Sequence, residues 1–339
     1  MHVMRIAVEI ILLMFFMVWI LPVSLCPLQL RNNCRRLLKY DIVPIITCMQ
    51  NMSDARSLTK KELSEKELSL KDTLLSGQCF RVNECNGIWT VKAGVGSSFR
   101  TLKVSQNDLS PIMDDPFWSN YFDLGLDYED LKSRFSQLSP VMDKACSYAP
   151  GIRILNQDPW EALCSFVVSQ NNNIKRIMGI VERMCSFYGE GGFPEVSVLA
   201  NATEDDLRSL GLGFRAPYIV NTAKAVLCGD IDLDALKSMD IDASRACLMK
   251  VKGIGPKVAD CALLFGCHRL DCFPMDVWMK RAMAEFFPNE DKSIFGEYAG
   301  VAQQYIFHYA RTSGYFANGA AGAHDAAGGT SLQNAAHKE

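Results

Sequence analysis

The sequence predicts an α+β fold, with an N-terminal antiparallel β-sheet domain followed by an all-helical domain. Three observations predict it. Between Ser69 and Gln106 the β-formers gather in LLSGQCFRV and GIWTVKAG around Asn86-Gly87, a hairpin-turn dipeptide. From about Asp127 onward the apolar residues return every three or four positions, the helical period. Within that second part, VKGIGPKVADCALLFGCHRLDCFPMDVWMK (251–280) sets Gly253-Ile254-Gly255 between two helical patterns, a helix-hairpin-helix arrangement.

Taken in order, the chain opens on residues 1–51, a hydrophobic extension unlike the rest. IILLMFFMVWIL (10–21) is an unbroken apolar run, and 6–25 is apolar apart from Glu9, Pro22 and Ser24. Roughly 20 such residues would span a bilayer. An anchor and a signal peptide are therefore both weighed against an over-extended start, with the working chain beginning near Met52. The last is preferred, because globular patterning begins only near Leu63. The β domain is placed at 52–150 and its short strands, with no helix between them, imply an antiparallel sheet.

The helical domain is placed at 151–316. Asp158-Pro159-Trp160-Glu161 is a capping box with proline at the first helical position. The helix it starts runs to about Ser169, and Asn171-Asn172-Asn173 breaks it and caps the next. Ile174, Ile177, Met178, Val181, Met184, Cys185 and Tyr188 then share one face, with Lys175 and Arg176 off it. Thr203 to Asp206 caps a short helix that Gly211 ends, and 217–227 is helical up to Gly229. Asp242 is read as the cap of the helix leading into the hairpin. Helices over 277–287 and 294–311 complete the bundle. The tail, 317–339, has almost no large apolar residue and is expected to be disordered.

Composition is ordinary for a globular chain, with 49% hydrophobic and 22% charged residues over 339. The net charge of −3 means that any polyanion must be met by local positive charge. The 13 cysteines show no paired zinc spacing and read as free thiols. None follows Cys272, which excludes a four-cysteine iron–sulfur loop at the C-terminal end.

The chemistry lies in 251–280. Glycines at 253 and 255 allow positive φ and close backbone approach. The helix starting at Pro256 offers free N–H groups and its positive dipole end, which suits a phosphate. Lys257 sits at that helix start, where the dipole disfavours the ammonium and favours a neutral, nucleophilic amine. On its own, without the neighbouring aspartate, it reads rather as a surface lysine making a phosphate contact. Asp276, after Pro274, is a preferred N-cap residue, and a carboxylate so fixed can also stabilise a developing cation. Gly211-Leu212-Gly213-Phe214-Arg215 echoes the hairpin pattern weakly.

These residues resemble the helix-hairpin-helix/Gly-Pro-Asp DNA glycosylases, and with Lys257 present they look like the bifunctional 8-oxoguanine DNA glycosylase/AP lyase branch. The resemblance covers roughly 68–316. It rests on Ser76-Gly77-Gln78-Cys79-Phe80, Gln170 to Ile174, Gly211 to Arg215, Gly255 to Cys261 and Pro274-Met275-Asp276-Val277. It implies excision of 8-oxoguanine opposite cytosine from flipped-out duplex DNA, with Lys257 as nucleophile and Asp276 stabilising the transition state. Gly77, Cys261, Gln303 and Phe307 would hold the damaged base. Asn171 would fill its place in the duplex, and Arg176 and Arg215 would meet the orphaned cytosine. Gly253 and Gly255 would face a phosphate.

The resemblance implies no required cofactor and no iron–sulfur cluster. It implies a structural monovalent cation on the backbone carbonyls of Met249, Val251 and Ile254. It also implies a monomer acting on double-stranded DNA containing 8-oxoguanine, in the nucleoid of a bacterium or the nucleus of a eukaryote, with membrane attachment resting on 1–51 alone. Trp278 and Lys280 depart from the better-known eukaryotic members, which puts fine specificity in question. The alternatives are a bifunctional glycosylase for another oxidised base and a non-catalytic helix-hairpin-helix DNA-binding protein.

Overall fold

The computed structural model describes residues 63–318, so the apolar run, the rest of 1–62 and the tail beyond 318 lie outside it. Among the described residues no helix is long and apolar enough to cross a membrane. The expected sheet is present. Strands β1 (Val82–Cys85), β2 (Ile88–Ala93) and β3 (Arg100–Ser105) form an antiparallel meander in the order 1-2-3. Cys85 pairs with Ile88 around Asn86 and Gly87, both at positive φ (52° and 79°). That is the two-residue turn which asparagine-glycine favours.

The strand pattern over-reached at its start. Helix α1 (Leu70–Leu74) occupies residues read as β, and of LLSGQCFRV only Val82 is in a strand. Ser69 explains the difference, because its hydroxyl accepts from the amide of Asp72 and starts a helix that the β-like composition hides. Helices also occupy Ser110–Met113 and Pro116–Tyr121, before the predicted onset at Asp127.

The helices that build the site are α2 (Pro159–Val168), α3 (Ile174–Tyr188), α4 (Ala216–Leu227), α5 (Ile241–Met249), α6 (Pro256–Gly266), α7 (Val277–Phe286) and α8 (Ala299–Thr312). Their caps are largely the predicted ones: Asp158 for α2, Asn173 for α3 and Asp276 for α7. Two details differ. Asp240, not Asp242, caps α5, accepting from the amides of Asp242 and Ala243. The predicted helix over 294–311 breaks at Gly296 (φ 62°), so α8 begins only at Ala299.

Two apolar clusters form the interior. The smaller packs the sheet against α1 and the aromatics Trp118, Tyr121 and Phe122. The larger fills the space between the helices and reaches back to Phe80 and Tyr128. One buried ion pair ties the sheet to α2. Arg81 donates 3.0 Å to the Glu161 carboxylate, and also to the carbonyls of Gly94 and Gly191. The same carboxylate oxygen accepts the Gly94 amide at 3.0 Å. Burial pushes Glu161 up to about 7 while Arg81 pulls it back. Glu161→Ala would strand a guanidinium whose side chain is 1% exposed. Chemical denaturation is expected to show a loss of about 3 kcal/mol, since breaking one side of a buried pair leaves an uncompensated charge.

Candidate active site

The hairpin between α5 and α6 is built by glycine at one position and by an empty cap at the other. Gly253 has φ +100°, and a Cβ there would fall 2.2 Å from the Tyr218 ring. Only glycine fits. Gly255, expected to share that freedom, has φ −95° and is extended, with nothing within 4 Å of a Cβ. Its contribution is different: as N-cap of α6 it has no side chain to occupy the first-turn amides. Ile254 between them is 4% exposed and anchors the turn. Gln170 holds it from the other side, its amide donating 2.8 Å to the Gly253 carbonyl. In the echo of this turn, Gly211 and Gly213 are both at positive φ and lead through a 3-10 turn into α4, so the two are not copies.

Lys257 lies in the first turn of α6, half-buried, with its ammonium 3.4 Å from the Ser169 hydroxyl and 5.2 Å from the centre of the Phe166 ring. Asp276 caps α7, its Oδ1 accepting the Met279 amide at 2.8 Å, which fixes one carboxylate oxygen and leaves the other. Both side chains line one cleft of about 500 Å³, together with Gly77, Asn171, Trp278, Phe307 and Arg311. Behind it is a recess of about 50 Å³, lined by Gly77, Lys257, Cys261, Asp276, Gln303 and Phe307. The structure thus brings the predicted nucleophile, carboxylate and base-binding residues to one place. The recess holds about one or two waters as it stands, and Phe307 borders both spaces.

The recess walls have distinct chemistry. Burial pushes the Cys261 thiol up, against the pull of Lys257, and this favours a neutral thiol one turn from the amine. Gln303 donates to the Pro274 carbonyl at 3.2 Å, while its Oε1 is buried without a partner. A buried, unspent acceptor beside a cleft suits an N–H donor on a bound group. Gly77 has φ +87°. The turn that carries it is held by Gln78, 0% exposed, whose amide donates to the carbonyls of Thr73 and Arg153 and whose Oε1 accepts the Leu155 amide.

The three residues expected at the opposite strand are unequal. Asn171 stands exposed at the loop tip with φ +47°. Arg176 is exposed and makes no ion pair among the described residues. Arg215 is 2% exposed, and its guanidinium donates to the carbonyls of Gln170, Asn171 and Leu212. It straps down the loop that presents Asn171. At the candidate cation position the end-of-helix amides of Lys250 and Val251 go to Cys247 and Leu248, not to Met249, while Val251 accepts the Ile254 amide. Among the described residues no group of three His, Cys, Asp or Glu could hold a metal ion, so backbone oxygens are the ligands on offer there.

Several contributors escaped the sequence. Ser169, Phe166 and Gln170 reach Lys257 and the hairpin only because α2 packs on α6. Arg311 was legible in principle, being one helical turn from Phe307 on α8. Lys250 and Lys252 lead into the hairpin in sequence, Lys175 and Arg176 open α3, and Arg311 lines the cleft, and none of the five has an ion-pair partner among the described residues.

Comparison with known proteins agrees with this fold. Residues 60–163 match the family described as 8-oxoguanine DNA glycosylase, N-terminal domain, and 164–295 match the HhH-GPD superfamily base excision DNA repair proteins. A probable N-glycosylase/DNA lyase of Methanothermobacter thermautotrophicus is 33% identical over 236 residues, covering 57% of this chain and 73% of that protein. The N-glycosylase/DNA lyase of Saccharomyces cerevisiae is 33% identical over 267 residues, 66% of this chain and 69% of its own. Among solved structures, MBOgg1 with a low-affinity DNA ligand superposes with a TM-score of 0.65 at 37% identity, over 73% of this chain and 93% of that one. Clostridium acetobutylicum 8-oxoguanine glycosylase/lyase, bound to duplex DNA with cytosine opposite 8-oxoguanine, gives 0.62 at 33% over the same shares.

Proposed function

The chain belongs to the 8-oxoguanine glycosylase branch of the HhH-GPD superfamily, and on that footing we infer that it is a bifunctional DNA glycosylase and AP lyase excising 8-oxoguanine opposite cytosine. The observation that carries the reading is the shared cleft, where an amine and a helix-capping carboxylate stand at the mouth of a recess lined by Cys261, Gln303 and Phe307. In this reading the β domain (52–150) supplies Gly77 and the helical domain (151–316) supplies the rest.

The hairpin grips backbone phosphate through the amides of Gly253, Gly255 and the α6 start, without reading sequence. A monovalent cation on Met249, Val251 and Ile254 would add positive charge there. The lesion is turned out of the stack. The neutral Lys257 amine bonds to C1′ as the glycosidic C–N bond breaks; the base departs with the electron pair and takes up a proton, while the new C1′–N group gives one up. Opening of the sugar ring leaves an imine between Lys257 and C1′. Loss of a C2′ proton then expels the 3′ phosphate by β-elimination. The Asp276 carboxylate faces the positive charge that develops on the sugar. No cofactor takes part.

Gly77 distinguishes the lesion from guanine, and Gln303 reads the edge that the two bases share. 8-Oxoguanine carries an N7–H where guanine has an acceptor, so a fixed carbonyl at Gly77 attracts one and repels the other. The free Oε1 of Gln303 meets the Watson–Crick edge, with Cys261 and Phe307 on the two base faces. Arg176 keeps its donors for the cytosine, while Arg215, largely committed to the loop, has an N–H to add. In this reading the protein works where the DNA is, in the nucleoid or the nucleus.

The test is excision from duplexes with 8-oxoguanine opposite each base. Cytosine is expected to be preferred by about tenfold or more, the discrimination of one well-placed arginine pairing. Arg176→Ala should erode that preference. Equal rates opposite all four bases would refute the cytosine assignment, and excision only of other oxidised bases would move the enzyme to a different substrate.

A further inference from the structure

Arg311 stands at the lip of the cleft with its charge uncommitted. It lies on α8 one turn beyond Phe307, is exposed, and its guanidinium carbon is 5.7 Å from the Phe307 ring centre. Its Nη1 would be 3.9 Å from a Cβ placed on Gly77, so it overhangs the turn at the recess mouth. Among the described residues no carboxylate pairs with it. Of the other arginines, Arg215 is engaged on loop carbonyls, Arg281 packs 4.1 Å over Phe316, and Arg176 is the one assigned above to the cytosine.

We propose that Arg311 binds a backbone phosphate flanking the extruded nucleotide, and that this capture is coupled to movement of Phe307. The proposal rests on the glycosylase reading of the site and adds a positioning contact to it. Guanidinium and phosphate match as a planar, bidentate, charge-assisted pair. A contact 5.7 Å from a ring centre is near the outer limit of about 6 Å for cation–π attraction, so a phosphate displaces it readily. The recess of about 50 Å³ is too small for a purine as it stands, and Phe307 is a wall it shares with the open cleft. The side chain that leans on the ring is therefore the one the incoming backbone engages, and phosphate arrival removes a restraint on the ring.

The experiment replaces each phosphate flanking 8-oxoguanine, one at a time, by a neutral methylphosphonate. Duplex affinity is then measured with Lys257→Gln protein, which binds without turnover, carrying Arg311 or Arg311→Gln. One position is expected to cost the Arg311 protein about tenfold and the Arg311→Gln protein nothing further. The slope of log affinity against log salt should fall by about one in Arg311→Gln, as for one lost phosphate contact, with Arg311→Lys recovering most of it. Additive losses at every phosphate, or an unchanged salt slope, would overturn the proposal. Failure of the glycosylase reading is seen separately, as wild-type protein that releases no base from the unmodified duplex.

Discussion

Lys257→Gln is expected to release 8-oxoguanine at least about 10³-fold more slowly than wild type in single-turnover assays, since removing a covalent nucleophile costs this much or more. The amine is the group on α6 that faces the cleft, set between the Ser169 hydroxyl and the Phe166 ring. Glutamine keeps most of the stem and a polar end, so the fold and duplex binding should survive. The loss would thus appear in the rate and not in the dissociation constant. A variant that excised the base normally but no longer cut the strand would show instead that water attacks C1′ and that the lysine acts only afterwards.

The second large effect is at Asp276. This residue caps α7, the proposed reading also makes it the partner of the developing charge, and Asp276→Asn separates the two. Asparagine caps as well as aspartate, so its carbonyl should still accept the Met279 amide and thermal stability should change little. The negative charge is gone, and kcat is expected to fall about 10²-fold or more. A normal rate would reduce Asp276 to a cap. A large loss of stability would mean that its second oxygen also supports the fold.

The fold was legible where local chemistry decides it. Asn86-Gly87 gave the hairpin, Asp158, Asn173 and Asp276 gave helix starts, and Gly253 gave the turn that meets Tyr218. It was illegible where two local signals compete. Ser69 started a helix inside a stretch of strand formers, and Asp240 outranked Asp242 as a cap two residues away. Gly296 broke a helix that apolar spacing alone would continue.

The site divides in the same way. Lys257 and Cys261 lie one turn apart on one helix, and periodicity places them together. Gln303 and Phe307 do likewise on α8. What brings α8, α6 and the Gly77 turn to a single recess is packing between segments far apart in the chain, which no local pattern encodes. The straps are of that kind too. Gln170 reaches Gly253 across 83 residues, and Arg215 holds Gln170 and Asn171 from 45 and 44 residues away. An exposed arginine and a buried arginine strap look the same in sequence, so Arg176 and Arg215 could be told apart only by burial.

The central claim is that Lys257 becomes covalently joined to the sugar of the lesion. It is tested most directly by borohydride reduction of the protein turning over a duplex with 8-oxoguanine opposite cytosine, followed by mapping of the adduct. The predicted result is one protein–DNA adduct on the peptide containing Lys257, absent in Lys257→Gln. No adduct from active wild-type protein, or an adduct on any other amine, would contradict it.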